Sequence, residues 1–184
     1  DFNLAIAEMS KVLKVHGNVI PAANKKVTLH AELTTGEYIE GESRIPEANA
    51  PIKSVFLSPK DVEPLPSAIK AIENADIILI GPGSLYTSII PNLLVEGIAK
   101  AVLAAKAEKI YICNLMTQRG ETLGYTASDH VKAIHKHTGV AVINSSLVNN
   151  VELPCNVREL YLEENAEPVV LDIENLEKMG LRVM

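Results

Sequence analysis

The sequence predicts an α/β protein with a Rossmann-like three-layer fold, a mostly parallel sheet and an added β-hairpin region, built as a single domain over residues 1–184. Three observations carry this expectation. Short aliphatic runs alternate with segments of helical apolar spacing, which is the pattern of strand-helix-strand units with right-handed crossovers. Residues 27 to 41 instead alternate apolar with polar side chains around a short turn, as a hairpin with one wet face does. The core is aliphatic: 47% of residues are hydrophobic, with no Trp and two Phe, and this suits a sheet covered by helices.

Taken in order, Phe2, Ile6, Met9, Val12 and Leu13 recur at helical spacing before Gly17 and predict a helix over residues 2 to 13. Val19-Ile20-Pro21 reads as extended. Val27 to Leu33 and Tyr38 to Gly41, joined through Thr34-Thr35-Gly36, form the hairpin. Residues 42 to 51, with Pro46, Asn49 and Pro51, read as a surface connection into a strand at Ile52–Leu57. A helix over about 65 to 74 leads to Ala75-Asp76-Ile77-Ile78-Leu79-Ile80, an unbroken aliphatic strand of the kind buried on both faces. There follow a helix over about 92 to 106, a strand at Lys109–Asn114, a helix from about 128 to 137 with Ser128 as N-cap, and strands at Val140–Asn144 and Pro168–Asp172.

With 17 basic and 23 acidic residues the formal charge is −6, and Lys and Arg are nowhere clustered. That argues against nucleic acid as a partner, because binding to a phosphate backbone needs concentrated positive charge. No apolar run reaches the ~20 residues of a membrane span. Cys113 and Cys155 lie far apart, in keeping with a reducing compartment. The opening Asp1-Phe2-Asn3 lacks the basic flank and cleavage site of a signal peptide. A cytoplasmic location is expected. The absence of an initiator Met suggests a piece of a longer product.

Ligands of parallel α/β sheets bind outside the carboxyl ends of the strands, which directs attention to the loops after Ile80, Asn114 and Asn144. In the first, Gly81 and Gly83 permit a tight turn, and Ser84, Tyr86, Thr87 and Ser88 gather hydroxyls at a helix start, where free N–H groups favour an anion. A phosphate fits there. Glycines in this position also serve simply to turn a chain, and Ser84 and Thr87 also suit helix caps. The spacing matches neither the dinucleotide fingerprint nor the P-loop. The second loop, Asn114 to Thr122, gathers amides, hydroxyls and a guanidinium able to read a base or sugar, or else caps its own backbone.

Asp129 and His130 fall in the first turn of the next helix, with access to the same pocket, while His135 and His137 suit surface or capping positions. No set of residues has metal-ligand spacing. There is no nucleophile elbow, and Cys113 reads as a core residue. No catalytic residue is assigned. Glu159, Glu163 and Glu164 read as a wet helix face, with Tyr161 standing out among them.

Several segments together resemble the gluconeogenesis factor family (YvcK-like), in the CofD-like superfamily that also contains the phospholactate transferase of coenzyme F420 synthesis. These are Asp1-Phe2, the run Gly81-Pro82-Gly83-Ser84-Leu85-Tyr86-Thr87-Ser88-Ile89-Ile90-Pro91-Asn92-Leu93-Leu94, Cys113 to Gln118, Gly120-Glu121-Thr122, Asp129-His130-Val131 and Ala166-Glu167-Pro168-Val169. The resemblance implies a cytoplasmic bacterial protein needed for growth on gluconeogenic carbon sources and for normal cell shape. It further implies binding of UDP-sugars such as UDP-N-acetylglucosamine, with Tyr161 in contact with the nucleotide sugar. The ligand-binding set so defined is Gly81, Gly83, Ser84, Tyr86, Thr87, Ser88, Asn92, Asn114, Met116, Thr117, Gln118 and Tyr161. The family's glycine-rich N-terminal strand-turn and its C-terminal tail have no counterpart in these residues, so the resemblance implies an internal stretch of a longer family protein. A non-catalytic, homo-oligomeric binding protein is the leading expectation. The rival is a transferase carrying a guanylyl phospholactate donor and a deazaflavin acceptor with Mg²⁺, in which Ser88, Asn114 or Asp129 would position metal or acceptor. A purely structural partner-binding domain is the third.

Overall fold

The computed structural model describes residues 5, 6, 8, 9, 12 and 16–184. The helix expected over 2 to 13 lies largely outside the described residues. Two sheets organise the remainder. The hairpin forms as expected from β1 (Thr28–Leu33) and β2 (Tyr38–Glu40), and β1 buries every second side chain as the alternating pattern requires. β3 (Ile52–Ser58) joins this hairpin antiparallel to β1, giving the order β2-β1-β3. The connection between them is more than surface loop. It contains a short helix, α1 (Arg44–Glu47), anchored by the fully buried Ile45.

The second sheet is entirely parallel, in the order β4 (Ile77–Ile80), β5 (Glu108–Ile112), β6 (Ser145–Leu147) and β7 (Arg182–Val183). Helix α2 (Pro66–Glu73) precedes β4 and starts on a proline, whose missing N–H costs nothing in a first turn. The Rossmann-like α/β class with an added antiparallel region is thus the architecture observed.

Several elements depart from expectation. β4 is not buried on both faces: Ile77 and Leu79, which share one face of the strand, are 58% and 60% exposed, no described element covering that face. The helix expected over 92 to 106 is broken. A π-helical turn at Leu85–Ile89 runs into α3 (Ile90–Leu94), and α4 (Ile98–Ala104) sets off at 80° to this pair after Gly97 adopts a left-handed conformation. Among the described residues no single helix is long and apolar enough to cross a membrane.

The strand expected at 140 to 144 begins later, at Ser145. Asn144 exchanges hydrogen bonds with Lys109 through its backbone N–H and its side-chain oxygen, so Val142 and Ile143 are buried without entering the ladder. The segment Pro168–Asp172 is no sheet strand either. It zips against the loop after β5 through bridges at Met116–Pro168 and Thr126–Val170. The place expected for it is taken by β7, after α6 (Cys155–Glu163) and α7 (Ile173–Lys178). As expected of a wet helix, α6 has no buried residue.

Helix α5 (Ala127–Thr138) is capped by Thr126 rather than Ser128. The Thr126 side chain accepts from the Asp129 N–H while Asp129 accepts from the Thr126 N–H, a reciprocal capping box. At its other end His137 is not a surface residue. Its Nδ1 donates to the Ala133 carbonyl, which leaves Nε2 to accept the outward N–H of Val55 on edge strand β3 at 3.0 Å. This imidazole joins the two halves of the fold in its neutral form. Burial holds its pKa below the ordinary value, so this group's contribution to stability is complete above about pH 6.5 and falls as the pH drops below that. A His137→Leu variant should lose roughly 1–2 kcal/mol in urea unfolding near neutral pH, with a shallower loss between pH 7 and 5 than the parent. Equal slopes would show that His137 does not titrate on unfolding.

Candidate functional site

Two clefts open at the carboxyl ends of β5 and β6, where a parallel sheet is expected to hold its ligand. One, of about 290 Å³, is lined by Asn114, Met116, Thr117, Gln118, Arg119, Tyr161, Glu164 and Ala166. It brings together four consecutive-loop candidates and Tyr161, which lies more than forty positions further along the chain. The zipper of loop on loop does this. Thr117 donates its N–H to the Glu167 carbonyl at 2.7 Å, its Oγ1 accepts from the Glu167 N–H at 2.9 Å, and Val169 donates to the Leu115 carbonyl at 3.0 Å. Gln118 is held by its N–H to Thr122 Oγ1 at 2.9 Å. Met116 and Thr117 are buried, while Tyr161 remains 40% exposed at the rim.

The second cleft, of about 440 Å³, shares Asn114 and is walled by the loop after β6 and the start of α6, with Asn149, Asn150, Cys155 and Arg158 on its polar side. Those residues were not singled out from the sequence. The only available signal was the position of the loop after β6, whose residues look like ordinary solvated loop. Cys113 lines this cleft from the core side, and burial pushes its thiol up to about 11, so it is protonated at neutral pH.

The glycine loop adjoins both clefts through one contact, the Asn114 side-chain amide donating to the Gly83 carbonyl at 3.0 Å. Among the described residues Asn114 Oδ1 is buried and accepts no hydrogen bond. Gly81 must be glycine: its φ is +94°, and a Cβ would come within 3.0 Å of the Ile112 carbonyl.

Beyond Ser84 the chain turns inward. Tyr86 and Thr87 are 3% and 8% exposed, and the Tyr86 N–H and Thr87 Oγ1–H both go to the carboxylate of Glu121. The helix start therefore does not offer these two donors freely, as its sequence suggests. Gly83 and Ser84, by contrast, give their N–H groups to no acceptor among the described residues. Ser88 and Asn92 lie on the exposed side of this segment, with the Asn92 amide donating back to the Ser88 carbonyl.

Asp129 and His130 are not brought to these clefts. Asp129 caps α5 and pairs with Lys132 at a third cleft, of about 410 Å³, shared with Tyr86 and Tyr125. His130 is fully buried, its Nδ1 donating to the Thr126 carbonyl, and desolvation depresses its pKa and keeps it neutral. Among the described residues no group of three or more His, Cys, Asp or Glu is placed to hold a metal ion.

A parallel α/β sheet with a polar, loop-built cleft at its carboxyl edge defines an α/β protein of Rossmann-like type. The family described as 2-phospho-L-lactate transferase CofD matches residues 1–184, and the chain belongs to that family. It is 55% identical over its whole length to a gluconeogenesis factor of Bacillus subtilis (strain 168), covering 58% of that protein. It is 51% identical over 98% of its length to the gluconeogenesis factor of Halalkalibacterium halodurans, covering 56% of it. A crystal structure of a Bacillus halodurans protein matches the whole chain with a TM-score of 0.96 at 50% identity, and this chain covers 59% of that one. The chain thus spans a little over half the length of these relatives.

Proposed function

We propose that this chain forms part of a non-catalytic gluconeogenesis factor that binds a nucleotide sugar of the UDP-N-acetylglucosamine type in the cytoplasm. In this reading it serves growth on gluconeogenic carbon sources and cell shape, and acts as a homo-oligomer. The observation that carries the reading is the convergence of Asn114, Met116, Thr117, Gln118 and Tyr161 on one cleft, with Asn114 bonded to the glycine loop beside it. An aromatic face, amides and a hydroxyl suit a sugar or base, and the free N–H groups of Gly83 and Ser84 suit a diphosphate. The names of its relatives support the gluconeogenic role.

Titration of the protein with UDP-N-acetylglucosamine and with GDP, each with and without Mg²⁺, tests this reading. UDP-sugar binding without metal is expected. A Tyr161→Ala variant should bind roughly tenfold or more weakly, the loss of one stacking partner. Parent-like affinity would remove Tyr161 from the site.

The family description favours a second reading, transfer of a phospholactyl group to a deazaflavin acceptor. In that reading Ser88 or Asn114 would position Mg²⁺ or the acceptor, while Asp129 lies at the third cleft. Preference for GDP with metal, together with product formed from a deazaflavin, would replace the first reading with this one.

A further inference from the structure

Glu121 lies in the connection from β5 to α5 and is only 3% exposed. Its Oε2 accepts the Tyr86 N–H at 2.9 Å and its Oε1 accepts the Thr87 hydroxyl at 2.7 Å. Among the described residues no Lys, Arg or His forms an ion pair with it. An unpaired carboxylate in such a place costs stability, and desolvation raises its pKa above the ordinary value against the pull of the hydrogen bonds from Thr87 and Tyr86. A glutamine or an apolar side chain would fill the space at lower cost.

What the carboxylate does is geometric. The π-helical turn Leu85–Ile89 starts with N–H groups that have no acceptor inside the helix. Glu121 takes one of them from the buried side and turns the Thr87 hydroxyl inward. Ser88 and Ile89 meanwhile both donate to the Ser84 carbonyl, and the Asn114 amide from the same connection holds the Gly83 carbonyl.

The β5–α5 connection therefore grips the glycine loop at two points. The connection is itself anchored, by the Arg119 Nε–H to Asn49 Oδ1 at 2.9 Å and by the close seat of Gly120 on Pro46.

We propose that Glu121 is the positioning residue of the ligand loop, holding the turn after β4 from inside and so fixing the glycine loop beside Asn114. The proposal rests on the nucleotide-sugar reading above and sharpens it. With a carboxylate already at the Tyr86–Thr87 end of the helix, a ligand phosphate is kept away from those two donors.

The test uses Glu121→Gln and the near-isosteric Thr87→Val, which removes only the hydroxyl, with two measurements on each. In the ligand-free protein, amide hydrogen exchange at Tyr86 should quicken about tenfold or more in Glu121→Gln while Val131 to Ile134 in α5 are unchanged. Titration with UDP-N-acetylglucosamine should weaken about tenfold in Glu121→Gln and about threefold in Thr87→Val, with Tm held within about 3 °C of the parent. A merely structural glutamate would move Tm and leave affinity alone. Unchanged exchange at Tyr86, or quickened exchange with unchanged affinity, overturns the proposal. If the parent does not bind the UDP-sugar at all, the nucleotide-sugar reading falls, and the exchange result still decides whether Glu121 holds the turn.

Discussion

Replacing Gly120 with alanine is expected to destabilise the fold by about 3 kcal/mol or more. Gly120 has a φ of +77°, and a Cβ built on it would overlap the Pro46 carbonyl and Cα. The left-handed conformation alone accounts for roughly 1–2 kcal/mol of this. The remainder is steric, and Pro46 has little room to yield because it lies within α1, whose Ile45 is fully buried. Gly139 is the matched control: its φ is +69° and a Cβ there meets nothing within 4 Å. Gly139→Ala should therefore lose only the conformational cost, about 1–2 kcal/mol. Urea unfolding of the two variants reads the difference. Equal losses would mean that the packing of Gly120 on α1 carries no energy of its own.

The second large effect is expected at Asp172. One carboxylate oxygen accepts the Ser128 N–H at 2.9 Å, and the other accepts the Ser128 hydroxyl at 2.6 Å, the Thr126 hydroxyl at 3.0 Å and the Asn175 amide at 2.8 Å. Partial burial works to raise its pKa, but these donors outweigh it and hold the value at about 2. The folded value lies below the ordinary 3.8, so the carboxylate's contribution is fully present above about pH 4 and is lost as the pH falls through 2. Asp172→Ala should cost about 2 kcal/mol at pH 7, since it strips the start of α5 of its tie to the segment before α7. The parent should lose stability between pH 4 and 2 more steeply than the variant. A variant with the same acid slope would show that the Asp172 hydrogen bonds do not persist in solution.

These two residues also mark how far the sequence can be read. Asp172 was legible as the end of an apolar run, yet its role depends on α5, over forty positions earlier, reaching it in space. Gly120 was legible as a loop glycine, but nothing in its neighbours announces that α1 lies against it. The glycine loop and the segment Asn114 to Gln118 were visible because turn chemistry and polar clustering after an aliphatic strand are local properties. Glu121 was visible as a letter in the same segment. A glutamate in a polar loop looks solvated until the fold closes Tyr86 and Thr87 over it.

The sequence by itself determined the α/β class, the hairpin, helices α2, α5 and α6 and the family, and marked the loops where ligand chemistry is expected, because periodicity, turn residues and short motifs are written within a few neighbouring positions. Tertiary structure alone decided that Pro168–Asp172 closes a cleft rather than extending the sheet, that β4 shows an exposed apolar face, and that Asn149, Asn150 and Arg158 wall a cleft beside Asn114. The physical reason is common to all three. Hydrogen-bond partners and burial are assigned between segments distant in the chain, and an apolar run satisfies its local pattern equally well in a sheet centre, at an edge or against a loop.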